Sequence, residues 1–403
     1  MKKDNYMIML STLGNGIGVS AQFYFAVIKG GILINPILSG LMMGVYFLTG
    51  SIMAILFGKL SDRMKNRKLF GIAGNLLTGF ISIFYFFVSD MFFFLFSSFL
   101  MGIAFAAVAS TMPALFSEHE PDMESGKLMS YFNISQSGGW AIGVLGGEIL
   151  YIFVSEWVFF IFGGIAFVSA MLLLMVREKH EKEAFKPEIT REKQSNDHYN
   201  FIRPFLIYLA AIIVFRHLSC QGSIAALVPN YLVLELSADE LTRGFIYALN
   251  NIIQVAFMLP AGYLVDKIGR KNVLTLGLIF AFITTAGYAF TFNAWHLAPF
   301  QVTLGVSWAL IINGGAAYVM DVTVEADRAK GMGFLNAGLS IGGTIGPFLA
   351  SLFLFMFSQD FRISFLLLSL FSTIGIALCL ILREDKDTHV YNLLGRKSNE
   401  KKG

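Results

Sequence analysis

The sequence predicts an all-α membrane protein: twelve transmembrane helices in two pseudo-symmetric six-helix bundles. Three observations predict it. Of 403 residues, 56% are hydrophobic and only 14% charged, against roughly 25% charged in soluble domains. A soluble fold of this size lacks the interior to hide so much apolar surface, whereas a bilayer absorbs it. The apolar residues also fall into twelve runs that can cross a membrane, each needing about 20 residues of helix. Finally, a polar segment recurs. Gly58-Lys-Leu-Ser-Asp62-Arg63-Met-Lys-Asn-Arg67-Lys68 reappears as Gly262-Tyr-Leu-Val-Asp266-Lys267-Ile-Gly269-Arg270-Lys271, with Asp62 and Asp266 204 residues apart.

The first run, 7–29, follows Met1-Lys2-Lys3 without an evident small-residue cleavage site, so it reads as an uncleaved span rather than a signal peptide. Runs 36–58 and 69–88 flank the first polar loop; 91–116, 127–153 and 157–176 complete the first half. The phenylalanines, 41 in all, crowd segments such as Ile81–Phe96, where they serve as lipid-facing bulk. Runs 202–232, 241–265, 272–293, 297–320, 331–357 and 361–382 form the second half, with the second loop between 241–265 and 272–293. The runs are continuous rather than alternating, which excludes a β-barrel.

Residues 1–176 thus form an N-terminal bundle and 201–382 a C-terminal one. Residues 177–200, charged and nearly free of apolar side chains, form a linker, and 383–403 a polar tail. With the N-terminus inside, cytoplasmic segments hold 26 of the 30 Lys and Arg; Lys29, Arg243 and Arg362 fall outside and Arg216 within a span. That bias places both termini in the cytoplasm. The net charge of +3 is topological and points to no nucleic acid. Cys220 and Cys379 lie in spans and read as packing residues, not a disulfide framework.

The halves are related beyond the loop. At an offset of 203, Lys127, Met129, Asn133, Ser137, Gly139, Ile142 and Gly143 match Lys330, Met332, Asn336, Ser340, Gly342, Ile345 and Gly346. This is internal duplication. Six plus six spans make the repeats parallel, related by an axis along the membrane normal.

On these features the chain resembles the major facilitator superfamily over essentially its whole length. The family's loop pattern, Gly-x-x-x-Asp-Arg/Lys-x-Gly-Arg-Arg/Lys, is matched by Gly262, Asp266, Lys267, Gly269, Arg270 and Lys271. The first copy keeps Gly58, Asp62, Arg63 and Arg67 but has Lys65 and Asn66 where the family has Gly and Arg. The resemblance implies a secondary transporter whose substrate path runs between the bundles. It also implies that the loops latch the cytoplasmic ends of the halves together, with Asp62 and Asp266 stabilising the outward-facing state; Glu118 and its mate Asp321 are candidate partners. A monomer in the plasma membrane is expected.

Several polar residues inside spans are candidates for substrate binding or coupling. Arg216 and His217 sit near the middle of 202–232, where a charge costs roughly 2.5–3.5 kcal/mol on insertion scales. Arg216 therefore calls for an acidic partner, water or an anionic substrate. His217, which shares a face with Gln221, is read either as a proton-coupling group or as a hydrogen-bonded structural residue. In 127–153, Asn133, Ser137, Trp140, Val144 and Glu148 form one stripe, away from Gly139, Gly143 and Gly146. Trp140 is an aromatic platform; Glu148 is either a proton carrier or a hydrated outer-rim residue. Asn15 and Gln22 in the first span, Asn250 and Gln254 in the eighth, and Trp308 and Asn313 in the tenth complete the set.

Drug/proton antiporters of the family carry Gly-x-x-x-Gly-Pro-x-x-Gly-Gly in the fifth helix and an arginine in the fourth. Here the fifth span reads Gly139-Trp-Ala-Ile-Gly143-Val-Leu-Gly146-Gly147 without proline, and the arginine position holds Ser98, with Gln301 as its mate. No cofactor is expected. The six histidines are scattered, Gly14-Asn-Gly16-Ile-Gly18 lies inside a span, and no Gly-x-x-x-x-Gly-Lys-Ser/Thr occurs. An enzyme is disfavoured. The expectation is proton-coupled export of a small amphipathic or aromatic compound; uptake of an anionic or polar metabolite, and a non-transporting sensor, are the alternatives.

Overall fold

The computed structural model describes residues 3–119, 125–177, 192–323 and 327–382, and among them every regular element is helical. In the first half these are α1 (Lys3–Ser20, continued through Ala21–Ala26 and Val27–Leu33), α2 (Ile37–Met64), α3 (Arg67–Phe87), α4 (Met91–His119), α5 (Ser125–Val154) and α6 (Val158–Leu174). In the second they are α7 (Glu192–Gln221, continued to Glu235), α8 (Glu240–Ile268), α9 (Arg270–Tyr288), α10 (Ala298–Val322), α11 (Arg328–Met356) and α12 (Phe361–Ile381).

Length and hydropathy alone separate only eleven of these, because Tyr131–Leu174 is one apolar stretch of 44 residues. As a single helix it would reach about 66 Å, twice the hydrocarbon core. The chain breaks it at Ser155, in left-handed conformation at φ 49°, so α5 and α6 cross separately and the expected twelve spans stand. α7 begins at Glu192, inside the segment expected to be linker. Residues 178–191 of that linker, and the tail 383–403, lie outside the described residues.

Both polar loops make their tight turn. In the second, Gly269 takes φ 88° and ends α8. In the first, Lys65 takes φ 50°, a conformation that costs a side-chain-bearing residue about 1–2 kcal/mol. Asn66 follows as N-cap of α3, accepting from the Leu69 amide at 2.8 Å. The two turns differ: Lys65 is left-handed at ψ 33°, with Asn66 between it and α3, whereas Gly269 has ψ 161° and leads directly into α9.

The duplication is visible in packing. Gly139 of α5 lies against the α1 backbone at Leu13 and Gly16, and Gly342 of α11 against α7 at Val214 and Leu218. Between the bundles, α5 packs on α8 and α2 on α11. The bonds joining them lie toward the end of the molecule remote from the termini. There Asn230 of α7 donates to the Val27 carbonyl at 3.2 Å and to the Ser39 hydroxyl, and Ser351 of α11 to the Ile37 carbonyl at 2.6 Å. At the terminus-bearing end, Gly58, Gly138 and Gly333 face open space, and Ile55, Leu259 and Tyr263 are exposed.

Candidate functional site

A cavity of about 590 Å³, counting its open mouth, lies where the bundles meet, walled by α1 and α5 on one side and α7, α8 and α10 on the other. Each bundle contributes an indole: Trp140 from α5 and Trp308 from α10. Gly139 and Gly143, on the flank of α5 next to Trp140, draw that helix onto α1, which sets Trp140 beside α1 at the cavity edge. Phe23 of α1 packs beside Trp140 at 5.4 Å between ring centroids. The Trp140 indole N–H is buried without a hydrogen-bond partner. The amides of Gln221, Asn250, Asn251 and Gln254 complete the polar wall, with Gln254 donating to Asn250 at 2.6 Å.

Arg216 is in this wall and only 1% exposed. Its Nη2 and Nε donate to the Ser307 hydroxyl at 3.1 and 3.4 Å, and its Nη1 to His217 Nδ1 at 3.4 Å. The guanidinium lies over the Trp308 ring, 5.3 Å from the centroid. Among the described residues no carboxylate pairs with it. His217 does not line the cavity; it is buried against Gly342 of α11, 5.5 Å from the Trp308 ring.

The remote end of the cavity is closed in two layers. Tyr24 of α1 and Tyr247 of α8 meet at 4.8 Å between centroids. Beyond them Glu148 of α5, 1% exposed, accepts from Arg243 of α8 at 3.0 and 3.2 Å. Glu148 does not line the cavity: it is half of a buried ion pair joining the two bundles, and it borders a second pocket lined also by Lys29, Glu156, Glu240 and Arg243. Its partner, Arg243, stood in the sequence only as an outside charge.

At the terminus-bearing end the two loops repeat one another's ion pairs. Arg67 pairs with Glu118 at 2.6 Å and with Asp62 at 3.0 Å; Arg270, 203 residues on, pairs with Asp321 at 2.6 Å. Lys68 donates to the Leu174 and Val176 carbonyls, and Lys271 to that of Leu380. All of these contacts are within one half, and Asp62, Arg63, Asp266 and Lys267 are exposed. The latch between halves expected of Asp62 and Asp266 is therefore not formed in this conformation, since the bundles engage at the opposite end.

The family model described as Major Facilitator Superfamily matches residues 6–219 and again 209–400. The chain belongs to that superfamily. The MFS-type transporter MJ1317 of Methanocaldococcus jannaschii is 26% identical over 315 residues, covering 73% of this chain and 74% of its own. Multidrug resistance protein 2 of Bacillus subtilis is 32% identical over 130 residues, 31% of either chain. The crystal structure of the nucleoside transporter NupG superposes with a TM-score of 0.75 at 13% identity, over 96% of this chain and 100% of that one. The protein is a multi-pass membrane transporter, not an enzyme.

Within this superfamily fold the residues expected at the site divide. Arg216, Trp140, Gln221, Asn250, Gln254 and Trp308 line the cavity. Asn15 and Gln22 do not: Asn15 donates to Asn75 of α3 at 3.0 Å and Gln22 to Ser98 of α4 at 3.1 Å, both buried helix-to-helix bonds. Asn313 donates to the Ala309 carbonyl at 2.8 Å, and Gly262 lies 3.8 Å from Asn313 Oδ1 when a Cβ is placed on it. Asn133 and Ser137 are half-buried on α5, nearer the termini than the cavity.

Sequence reasoning missed Ser20, Phe23, Tyr247 and Asn251, which also line the cavity. Phe23 and Tyr247 carry no signal in a chain so rich in lipid-facing aromatics, but Asn251 sits beside Asn250 and was findable. Also unforeseen are the π segments Ala21–Ala26 in α1 and Gly222–Leu227 in α7, which occupy near-equivalent places in the two halves and present Phe23, Ile224 and Ala225 to the cavity. Such bulges cluster at functional sites.

Proposed function

We propose that this chain is a secondary active transporter that works by alternating access, uses a proton gradient, and exports a small amphipathic or aromatic compound across the plasma membrane. The observation that carries the reading is the cavity between the bundles, with one indole from each half and closure at one end only. If the bundles rock about that cavity, Trp140 and Trp308 separate as one side opens and the other shuts. The Lys and Arg bias supports cytoplasmic termini, which makes the closed end extracellular and this conformation inward-facing. A proton gradient is assigned because the chain lacks a nucleotide-binding loop, and Glu148, the acid at the closed end, is the group assigned to carry the proton. Likeness to Multidrug resistance protein 2 supports export, over the third of that chain that is matched. One chain builds the whole cavity, so a monomer suffices.

Uptake of an anionic or polar metabolite is the second reading, favoured by Arg216. Cells with and without the protein, loaded with a fluorescent aromatic dye, distinguish the two. Export predicts faster dye loss, abolished by a protonophore; greater accumulation supports uptake. Purified protein in proteoliposomes that binds dye yet moves none of it would leave a sensor and end the transport reading.

A further inference from the structure

The charge of the cavity narrows its substrate. Arg216 carries a full positive charge at a site 1% exposed, and its contacts are a shared serine hydroxyl, an imidazole nitrogen and an indole face. A guanidinium has five N–H donors; the bonds just described occupy three, at 3.1–3.4 Å. Among the described residues no carboxylate lines the cavity. The buried acid of α5, Glu148, is held by Arg243 beyond the tyrosine layer. A buried charge of this kind is retained in a membrane helix where a ligand or a water path completes it.

We infer that the substrate is an organic anion: a planar aromatic ring bearing a carboxylate, whose oxygens take the free N–H groups of Arg216. A carboxylate matches the guanidinium fork in shape as well as charge. Trp308, already beneath the guanidinium, then lies beside the ring, and Trp140 lines the cavity from the other bundle. A cationic ligand of the same size meets the like charge of Arg216 at short range, with no carboxylate among the described lining residues to offset it. This inference rests on the transport reading and holds for either direction of movement.

Calorimetric titration of the purified protein with three naphthalenes of one shape tests it: naphthalene-2-carboxylate, naphthalene-2-carboxamide and 2-naphthylmethylamine. The carboxylate is expected to bind about 10- to 100-fold more tightly than the amide, the range of a charge-assisted hydrogen bond, and the ammonium more weakly than both. Arg216→Gln should bring carboxylate and amide within about threefold, a compression of that same charged-bond range, with the carboxylate losing the greater share of its affinity. Arg216→Lys should retain part of the preference. Because the wild-type series already discriminates by charge, the inference stays testable if the variants fold poorly. Equal affinities, an ammonium preference, or no binding by any of the three overturns the substrate class. The titration involves no flux, so that failure is separate from failure of the transport reading, which only the proteoliposome assay decides.

Discussion

Glu148→Gln is the most informative perturbation of the closed end. Glu148 accepts two hydrogen bonds from Arg243 at 3.0 and 3.2 Å, and their side chains are 1% and 11% exposed. Removing one member of such a pair costs about 2–5 kcal/mol, much of it for the partner left behind. Glutamine still accepts one bond from the guanidinium, which returns about 1–2 kcal/mol of the 1.5–3 typical for charged partners. Glu240, 3.5 Å from Arg243 but 40% exposed, adds about 0–1 kcal/mol at most. The net loss is about 1–3 kcal/mol. When the bundles part at this end both groups meet water, so the substitution costs little there and the loss falls on the closed state. The closed-to-open ratio should drop about 5- to 150-fold. Spin labels at the exposed positions Phe153 and Leu241, in a background with the buried Cys220 and Cys379 replaced by alanine, read this by pulsed dipolar spectroscopy. A second, longer distance should gain population in the variant. A distance distribution identical to that of the parent refutes the ion pair as a lock.

Three further outcomes follow from the same geometry. Lys65→Gly relieves a left-handed backbone at φ 50°; set against the unfolded-state entropy of glycine, the gain is about 0.5–1 kcal/mol, read as a higher thermal unfolding midpoint. Gly143→Leu drives side-chain atoms into Ser20 and the α1 backbone at Ile17, costing about 1–3 kcal/mol of overpacking and displacing the cavity wall, so both the monodisperse yield and flux should fall. Asp239 caps α8 by accepting from the Thr242 amide and hydroxyl, which hold its carboxyl below the ordinary 3.8. A depressed pKa contributes stability above the unfolded value and loses it as pH falls through the folded one. Asp239→Ala should therefore cost about 1 kcal/mol at neutral pH, with the difference from the parent shrinking progressively as pH falls below 3.8 in a denaturation series; a deficit unchanged by acid would remove the carboxylate from the cap.

Legibility along the sequence depended on whether a residue broke a local rule. Arg216 was legible because a charge in an apolar run is conspicuous without any knowledge of its neighbours. Trp140 was placed by the stripe it shares with Asn133, Ser137, Val144 and Glu148. Asn15 and Gln22 looked equivalent to Asn250 and Gln254, yet the first two are consumed by Asn75 and Ser98 while the latter two face the cavity. An amide's sequence neighbours do not reveal which helix lies opposite. The break at Ser155 was readable only because one helix of 44 residues is too long for a bilayer.

Hydropathy, glycine spacing and the 203-residue repeat are properties of short stretches, and they suffice for the twelve spans, the two-bundle duplication and the loop that marks the family. Which charges neutralise one another is not such a property. Glu148 and Arg243 lie 95 residues apart on different bundles, and only packing pairs the two and leaves Arg216 without a carboxylate among the described residues. Coulomb energy depends on distance and on exclusion of water, and folding alone sets both.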